Sequence, residues 1–179
     1  MQITNIPPRQ DLFRLTDVAS LQLMDAIITT DWMSLPLKKQ ESQEHWDRYV
    51  ITDHPLLKQF TEQVRAHLPS INSVANTKYT DVDATRLWID LPGFTVPLHL
   101  DGVVTESGDI QGVSEALQCF WLGPADTGTE FYNGDKTLRY KFPFRTNTGY
   151  FMLLDPDLWH GMTVENTGIR ITTYTYFIQ

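Results

Sequence analysis

A mainly β, α+β fold is predicted for this chain of 179 residues, and three observations predict it. Downstream of residue 75, short runs rich in β-branched and aromatic residues recur between turn signals, a spacing that builds a sandwich or barrel. The last of these, 170–178, alternates strictly with period two, placing Arg170, Thr172, Tyr174 and Tyr176 on one face and Ile171, Thr173, Thr175 and Phe177 on the other. Upstream of residue 75, two stretches instead carry apolar residues at helical spacing. The length suits one domain, 1–179, with a helical support over 1–75 and a β core over 76–179.

In chain order, 17–30 reads as a helix with Val18, Leu21, Met24, Ile27 and Ile28 on one face and Thr16 or Asp17 as cap. The segment 35–48 is polar and charged and reads as a loop. A second helix starts at Thr52 or Asp53 as N-cap, takes Pro55 in its first turn, and presents Leu56, Leu57, Phe60, Val64 and Leu68 before Pro69 stops it. Both helices are expected to pack on one sheet. His67 falls in the last helical turn, where a cation complements the dipole, and His45 and His54 are expected at the surface. Strands follow at 78–83, 85–91, 95–100, 116–122, 128–132, 138–142, 150–154, 161–165 and 170–178. Pro92-Gly93 makes a turn before the third of these, and Asn133-Gly134 is a strong hairpin dipeptide because both residue types tolerate positive φ. The polar stretch 102–114 is the longest connection of this half.

Composition sets outer limits. A net charge of −8 and a pI near 4.9 argue against binding nucleic acid, which needs a basic face to follow phosphates. Cys119 is the single cysteine, so no intramolecular disulfide forms, in keeping with a reducing, cytoplasmic setting. Neither a signal peptide nor an apolar run long enough to cross a bilayer is present, so no membrane partner is expected.

The chemistry-bearing residues lie in the β half. His99 and Asp101 are two apart in an extended segment and project to the same side, so both can meet one ion. With His160 they make two imidazoles and one carboxylate, the set that suits Fe(II) with coordination positions left open. Arg170, ten residues beyond His160, faces inward on the final strand. A buried guanidinium demands a carboxylate, either a bound acid or a carboxylate of the protein itself.

The ordered set His99-x-Asp101, His160, Arg170-x-Thr172 resembles the Fe(II)- and 2-oxoglutarate-dependent dioxygenases. The segments 88–101, 117–122, 128–132 and 149–154 are most similar to the branch around the prolyl 4-hydroxylases. That branch commonly has a second glycine where Thr129 stands and often a tyrosine where Trp121 stands. The resemblance covers roughly 85–179 and implies a double-stranded β-helix, or jelly-roll, core. It also implies Fe(II) on His99, Asp101 and His160, with 2-oxoglutarate chelating the metal and Arg170 gripping its far carboxylate. Trp121 becomes a co-substrate contact. Thr172 is either a second such contact or an ordinary β-branched strand residue. O2 is the oxidant, and succinate, CO2 and a hydroxylated substrate are the products. The presence of Asp101 favours a hydroxylase over a halogenase. The substrate is a protein side chain, an amino acid or another small molecule; the sequence does not set the oligomeric state. In this family the region matching 35–48 often borders the substrate entrance as a lid. Two alternatives stay open: a cupin-type metalloenzyme without 2-oxoglutarate, and a non-catalytic jelly-roll binding module.

Overall fold

The computed structural model describes residues 1–39, 48–104, 110–112 and 115–179; parts of the two polar segments, 40–47 and most of 105–114, with the lid expectation placed on them, lie outside the described residues. The chain opens with β1 (Gln2–Asn5), β2 (Leu12–Thr16) and α1 (Leu21–Thr29), then β3 (Lys38–Lys39) and β4 (Arg48–Ile51). Two helices follow, α2 (Pro55–Ala66) and α3 (Leu68–Ala75). Next come β5 (Asp81–Val82), β6 (Arg86–Asp90), β7 (Val96–His99), β8 (Gly102–Val104), β9 (Ile110–Gly112) and β10 (Ala116–Leu122). The chain ends with β11 (Glu130–Tyr132), β12 (Leu138–Lys141), β13 (Thr148–Met152), β14 (Trp159–Met162) and β15 (Arg170–Ile178).

These strands form the two facing antiparallel sheets of a double-stranded β-helix. The larger has the order β1-β2-β13-β10-β15-β6-β4-β3, with β5 also on β15; the smaller is β12-β11-β14-β7; β8 and β9 form a separate hairpin. Alternation along each strand of the larger sheet divides its side chains between two layers. Leu117, Cys119, Trp121, Ile171 and Phe177 turn outward and pack with Ile27, Leu57, Phe60, Val64 and Ile71 of the helices. Phe120, Tyr150 and Met152 turn inward to meet Phe131, Phe142 and Leu158 between the sheets. The expected placement of the helices on one sheet therefore holds.

Several boundaries are corrected. The first helix begins at Leu21, not at 17, because Ser20 Oγ accepts from the Leu23 amide at 3.3 Å, while Asp17 has φ of +50°. His54, rather than Thr52 or Asp53, caps α2: its Nδ1 accepts from the Leu56 amide at 3.3 Å, and its ring meets Trp32 edge-on. Pro69 does end the second helix, but it also starts α3, whose first-turn position needs no amide proton. His67, at that junction, is depressed in pKa first by burial and then by the terminal ammonium of Met1, the direction opposite to the one a helix dipole favours.

The largest correction concerns residues 1–75. They do not only support the core: β1, β2, β3 and β4 extend the larger sheet at both ends, with β2 paired to β13 and β4 to β6. The turns also differ in detail. Leu91-Pro92-Gly93-Phe94 closes through the Phe94 amide on the Leu91 carbonyl, with Gly93 at φ +89° as a prolyl-glycyl turn requires. Between β11 and β12, however, the positive φ falls on Lys136 (+61°), and the Lys136 amide bonds the Asn133 carbonyl. The hairpin is a turn followed by one left-handed residue, not a two-residue turn on Asn133-Gly134.

Candidate active site

The smaller sheet brings the sequence-distant ligand candidates together through register. β14 pairs antiparallel with β7 so that His160 stands opposite His99, and Asp101 follows two residues after His99. His160 is buried, with its ring stacked 5.6 Å from Phe131 on the neighbouring β11. The two imidazole centroids are 4.3 Å apart. One oxygen, Asp101 Oδ1, lies 3.3 Å from His99 Nε2 and 3.4 Å from His160 Nε2. The ligand atoms of the three residues all fall within 4.8 Å of one another.

This donor set fits a divalent metal on electrostatic grounds. His99 Nδ1 is 2.8 Å from the Pro97 carbonyl, which can only accept, so Nδ1 carries a proton and Nε2 is the nitrogen turned toward Asp101. A carboxylate held between two imidazole nitrogens calls for positive charge at that point, supplied by protons on the rings or by a metal ion in their place. Mutually perpendicular ligands on bonds of about 2.1 Å stand about 3 Å apart, near the separations seen here. Burial pushes the Asp101 carboxyl up, but the hydrogen bonds from His160 and then His99 outweigh it and hold it well below the usual range. Burial likewise lowers His99, and its contacts with Asp101 and the Pro97 carbonyl reverse the sign.

The three residues line a cavity of about 240 Å³ between the sheets. Arg170 is in its wall, 2% exposed, with Nε donating to the Thr127 carbonyl at 3.0 Å and Nη1 to Asp90 Oδ2. Asp90, fully buried, is shared: its Oδ1 accepts from Arg48 Nε at 2.5 Å. The sequence left Arg170 a choice between a bound acid and a carboxylate of the protein. The second exists, yet Asp90 engages Arg170 through one oxygen, so the guanidinium fork is not closed on it.

Thr172 is fully buried on the Arg170 face of β15, and its Oγ1 has no hydrogen-bond partner among the described residues. Trp121 is corrected. It projects to the opposite side of β10, packs edge-on against Phe60 at 5.3 Å and donates Nε1 to Thr173 Oγ1, so it belongs to the helix-side core and not to the cavity. Strand parity is the reason: Gln118, three residues earlier, is the β10 side chain that reaches the cavity, where it accepts from Thr129 Oγ1 at 3.0 Å. Tyr150 and Tyr174 share a hydroxyl contact of 2.8 Å there, and burial raises both phenols. Tyr174 was on the inward face of the alternation already; Asp90, Arg48 and Gln118 were missed because only the pairing of β15 with β6 and β10, and of β6 with β4, sets them beside Arg170.

The fold is that of the Fe(II)- and 2-oxoglutarate-dependent oxygenases, prolyl hydroxylases among them. A Pseudomonas putida prolyl-4-hydroxylase superposes with a TM-score of 0.73 at 11% identity, over 94% of this chain and 92% of that one. The viral collagen prolyl hydroxylase of Paramecium Bursaria Chlorella virus-1, in its 2-oxoglutarate complex, gives 0.66 at 15% identity over 93% and 94%. HygX from Streptomyces hygroscopicus, with nickel, 2-oxoglutarate and hygromycin B bound, gives 0.64 at 11% identity over 94% and 83%. At such identities the likeness is one of fold. No family model matches the chain, and no curated protein matches it by sequence.

Proposed function

We propose that this protein is an Fe(II)- and 2-oxoglutarate-dependent dioxygenase that hydroxylates a C–H bond of an amino acid or a protein side chain. The observation that carries the reading is the convergence of His99, Asp101 and His160 on one point of a cavity whose wall contains Arg170. The relatives in fold bind varied molecules, from a peptide fragment of hypoxia inducible factor to hygromycin B, so the fold leaves the substrate open.

His99, Asp101 and His160 would hold the metal, two imidazoles and one carboxylate of the kind that suits Fe(II). When bound, Fe(II) and 2-oxoglutarate supply the oxidation: O2 and the 2-oxo acid yield succinate and CO2, and substrate C–H becomes C–OH. Arg170 takes the distal carboxylate of the 2-oxo acid, with Thr172 Oγ1 beside it as an unused buried donor. Phe120, Phe131 and Tyr150 close the space between the sheets against water, which strengthens each of these charge contacts. Pro97 holds the His99 tautomer, and Phe131 holds the plane of His160.

The test is addition of Fe(II) and 2-oxoglutarate without O2. A weak visible charge-transfer band is expected, and succinate release follows when O2 and a substrate are supplied. The Arg170–Asp90 ion pair favours a second reading, a cupin-type metalloenzyme in which Arg170 is only a strut. That reading gives metal binding without the band.

A further inference from the structure

The cavity runs past the metal-binding trio to a second cationic end. Arg86 stands opposite Tyr174 in the β6–β15 pairing, four residues along β15 from Arg170, which is roughly 13 Å at the rise of a strand. From beside Arg170 to just past Arg86 the floor is aromatic. Trp88 stacks on Tyr174 at 4.4 Å and 24°, Tyr174 lies 6.0 Å from Tyr176, and the Arg86 guanidinium carbon sits 5.4 Å from the Tyr176 ring centre. The floor is held in place from beneath and behind: Arg48 covers Trp88 at 4.0 Å, and Tyr150 bonds the Tyr174 hydroxyl.

Arg86 differs from the other two cavity arginines. Arg48 and Arg170 are buried and share Asp90, whereas the Arg86 side chain is exposed at the rim and makes no ion pair or hydrogen bond among the described residues. The chain has 22 acidic residues against 14 basic ones, so an arginine lining the cavity without a carboxylate partner among the described residues stands out from that balance. A guanidinium lying on an aromatic face keeps its planar fork presented edge-on, the geometry that takes a carboxylate through two parallel hydrogen bonds.

We propose that the primary substrate is an anion whose carboxylate docks on Arg86. Its apolar body lies on the Trp88, Tyr174 and Tyr176 floor, and its target carbon sits at the His99, Asp101 and His160 centre. The inference rests on the oxygenase reading and names the substrate class for that site. The carboxylate belongs to a small acid, such as an amino acid, or to an acidic residue of a peptide; the chemistry at Arg86 is the same.

The full-length protein with Fe(II) and 2-oxoglutarate, kept free of O2, is titrated calorimetrically with two sets of probes. One set is N-acetyl amino acids and their carboxamides; the other is short peptides carrying Asp or Glu and their Asn or Gln counterparts. Acids are expected to bind at least about tenfold tighter than the neutral forms of the same shape, the least that a charge-assisted contact gives. Whichever set shows the preference identifies the source of the carboxylate. In Arg86→Gln the ratio falls to about one while the visible band persists, and Arg86→Lys restores part of it. With O2 admitted, succinate release follows the same order. Equal binding of acids and amides, binding by no acid in either set, or a preference that survives Arg86→Gln overturns the substrate assignment alone. Absence of the band in the unaltered protein overturns the oxygenase reading, and the assignment with it.

Discussion

At the scale of single residues, the site sets side chains with a visible partner against side chains without one. His99 is fixed by a carbonyl and Asp101 by two imidazoles, whereas Thr172 Oγ1 is buried with no partner among the described residues. An unsatisfied buried hydroxyl costs about 1–3 kcal/mol, so Thr172→Val, of nearly the same shape, should leave the ligand-free protein as stable or up to about 1 kcal/mol more stable in urea. The same change should raise the KM for 2-oxoglutarate severalfold if Thr172 faces the co-substrate; an unchanged KM assigns it to the strand alone. Asp101→Ala removes one of three ligand candidates. Losing an outer partner of a metal ligand costs about 10–100-fold in affinity, so losing a ligand should cost at least about 100-fold in Fe(II) or Mn(II) binding, read by titration. Asp90→Asn leaves two guanidiniums with a neutral partner and should destabilise by about 3–5 kcal/mol in chemical denaturation, as broken buried pairs do.

Strands and turns decide which of these residues meet. The N-terminal β2 covers the edge of β13, and its Leu12, Phe13 and Leu15 are completely buried. Removing residues 1–16 should therefore uncover an edge strand and forfeit about 1.5–3 kcal/mol for each of those side chains. An aggregating or insoluble truncation is the expected result, and a monomeric truncation of unchanged melting temperature would show that the first two strands are ornamental. Gly149 is the tight point on the other side of β13. A Cβ there would stand 1.9 Å from the Gln118 carbonyl oxygen, so any side chain must part β13 from β10 and disturb the strand that carries Gln118 into the cavity.

Across the whole molecule, the two sheets bring opposite chemistry face to face: the candidate metal ligands His99 and His160 on the smaller, cationic and aromatic side chains on the larger. Ligands that bridge them should tighten the entire fold. At a hundredfold excess over Kd, a bound ligand stabilises by about 2.7 kcal/mol, and a chain of this size gains about 2–4 °C per kcal/mol. Fe(II) or Mn(II) followed by 2-oxoglutarate should each raise Tm by about 5–10 °C. Arg170→Ala should retain the metal increment and lose the one from 2-oxoglutarate. A 2-oxoglutarate increment that survives in Arg170→Ala would point to Arg86 or another cation as its anchor. No helix among the described residues is long and apolar enough to cross a membrane.

How much of this was legible beforehand depended on range along the chain. The period-two run of β15 showed that Arg170 and Tyr174 share a face, and the bounds of β10 and β15 match those expected, because alternation is a local property of consecutive residues. The His99-x-Asp101 pair was legible for the same reason. Side assignment failed for Trp121, whose strand was placed correctly but whose facing depends on which layer meets the helices. β1, β2 and β4 were missed because they are short, and β2 and β4 are held by partners far along the chain, β13 and β6. By itself, then, the sequence determined the fold class, the candidate ligand set and the inward face of the last strand. Tertiary structure alone decided that His160 stands opposite His99, that Asp90 lies between Arg48 and Arg170, and that Arg86 faces the cavity. Those facts are set by inter-strand register, which hydrogen bonding between distant segments fixes and which no local pattern encodes.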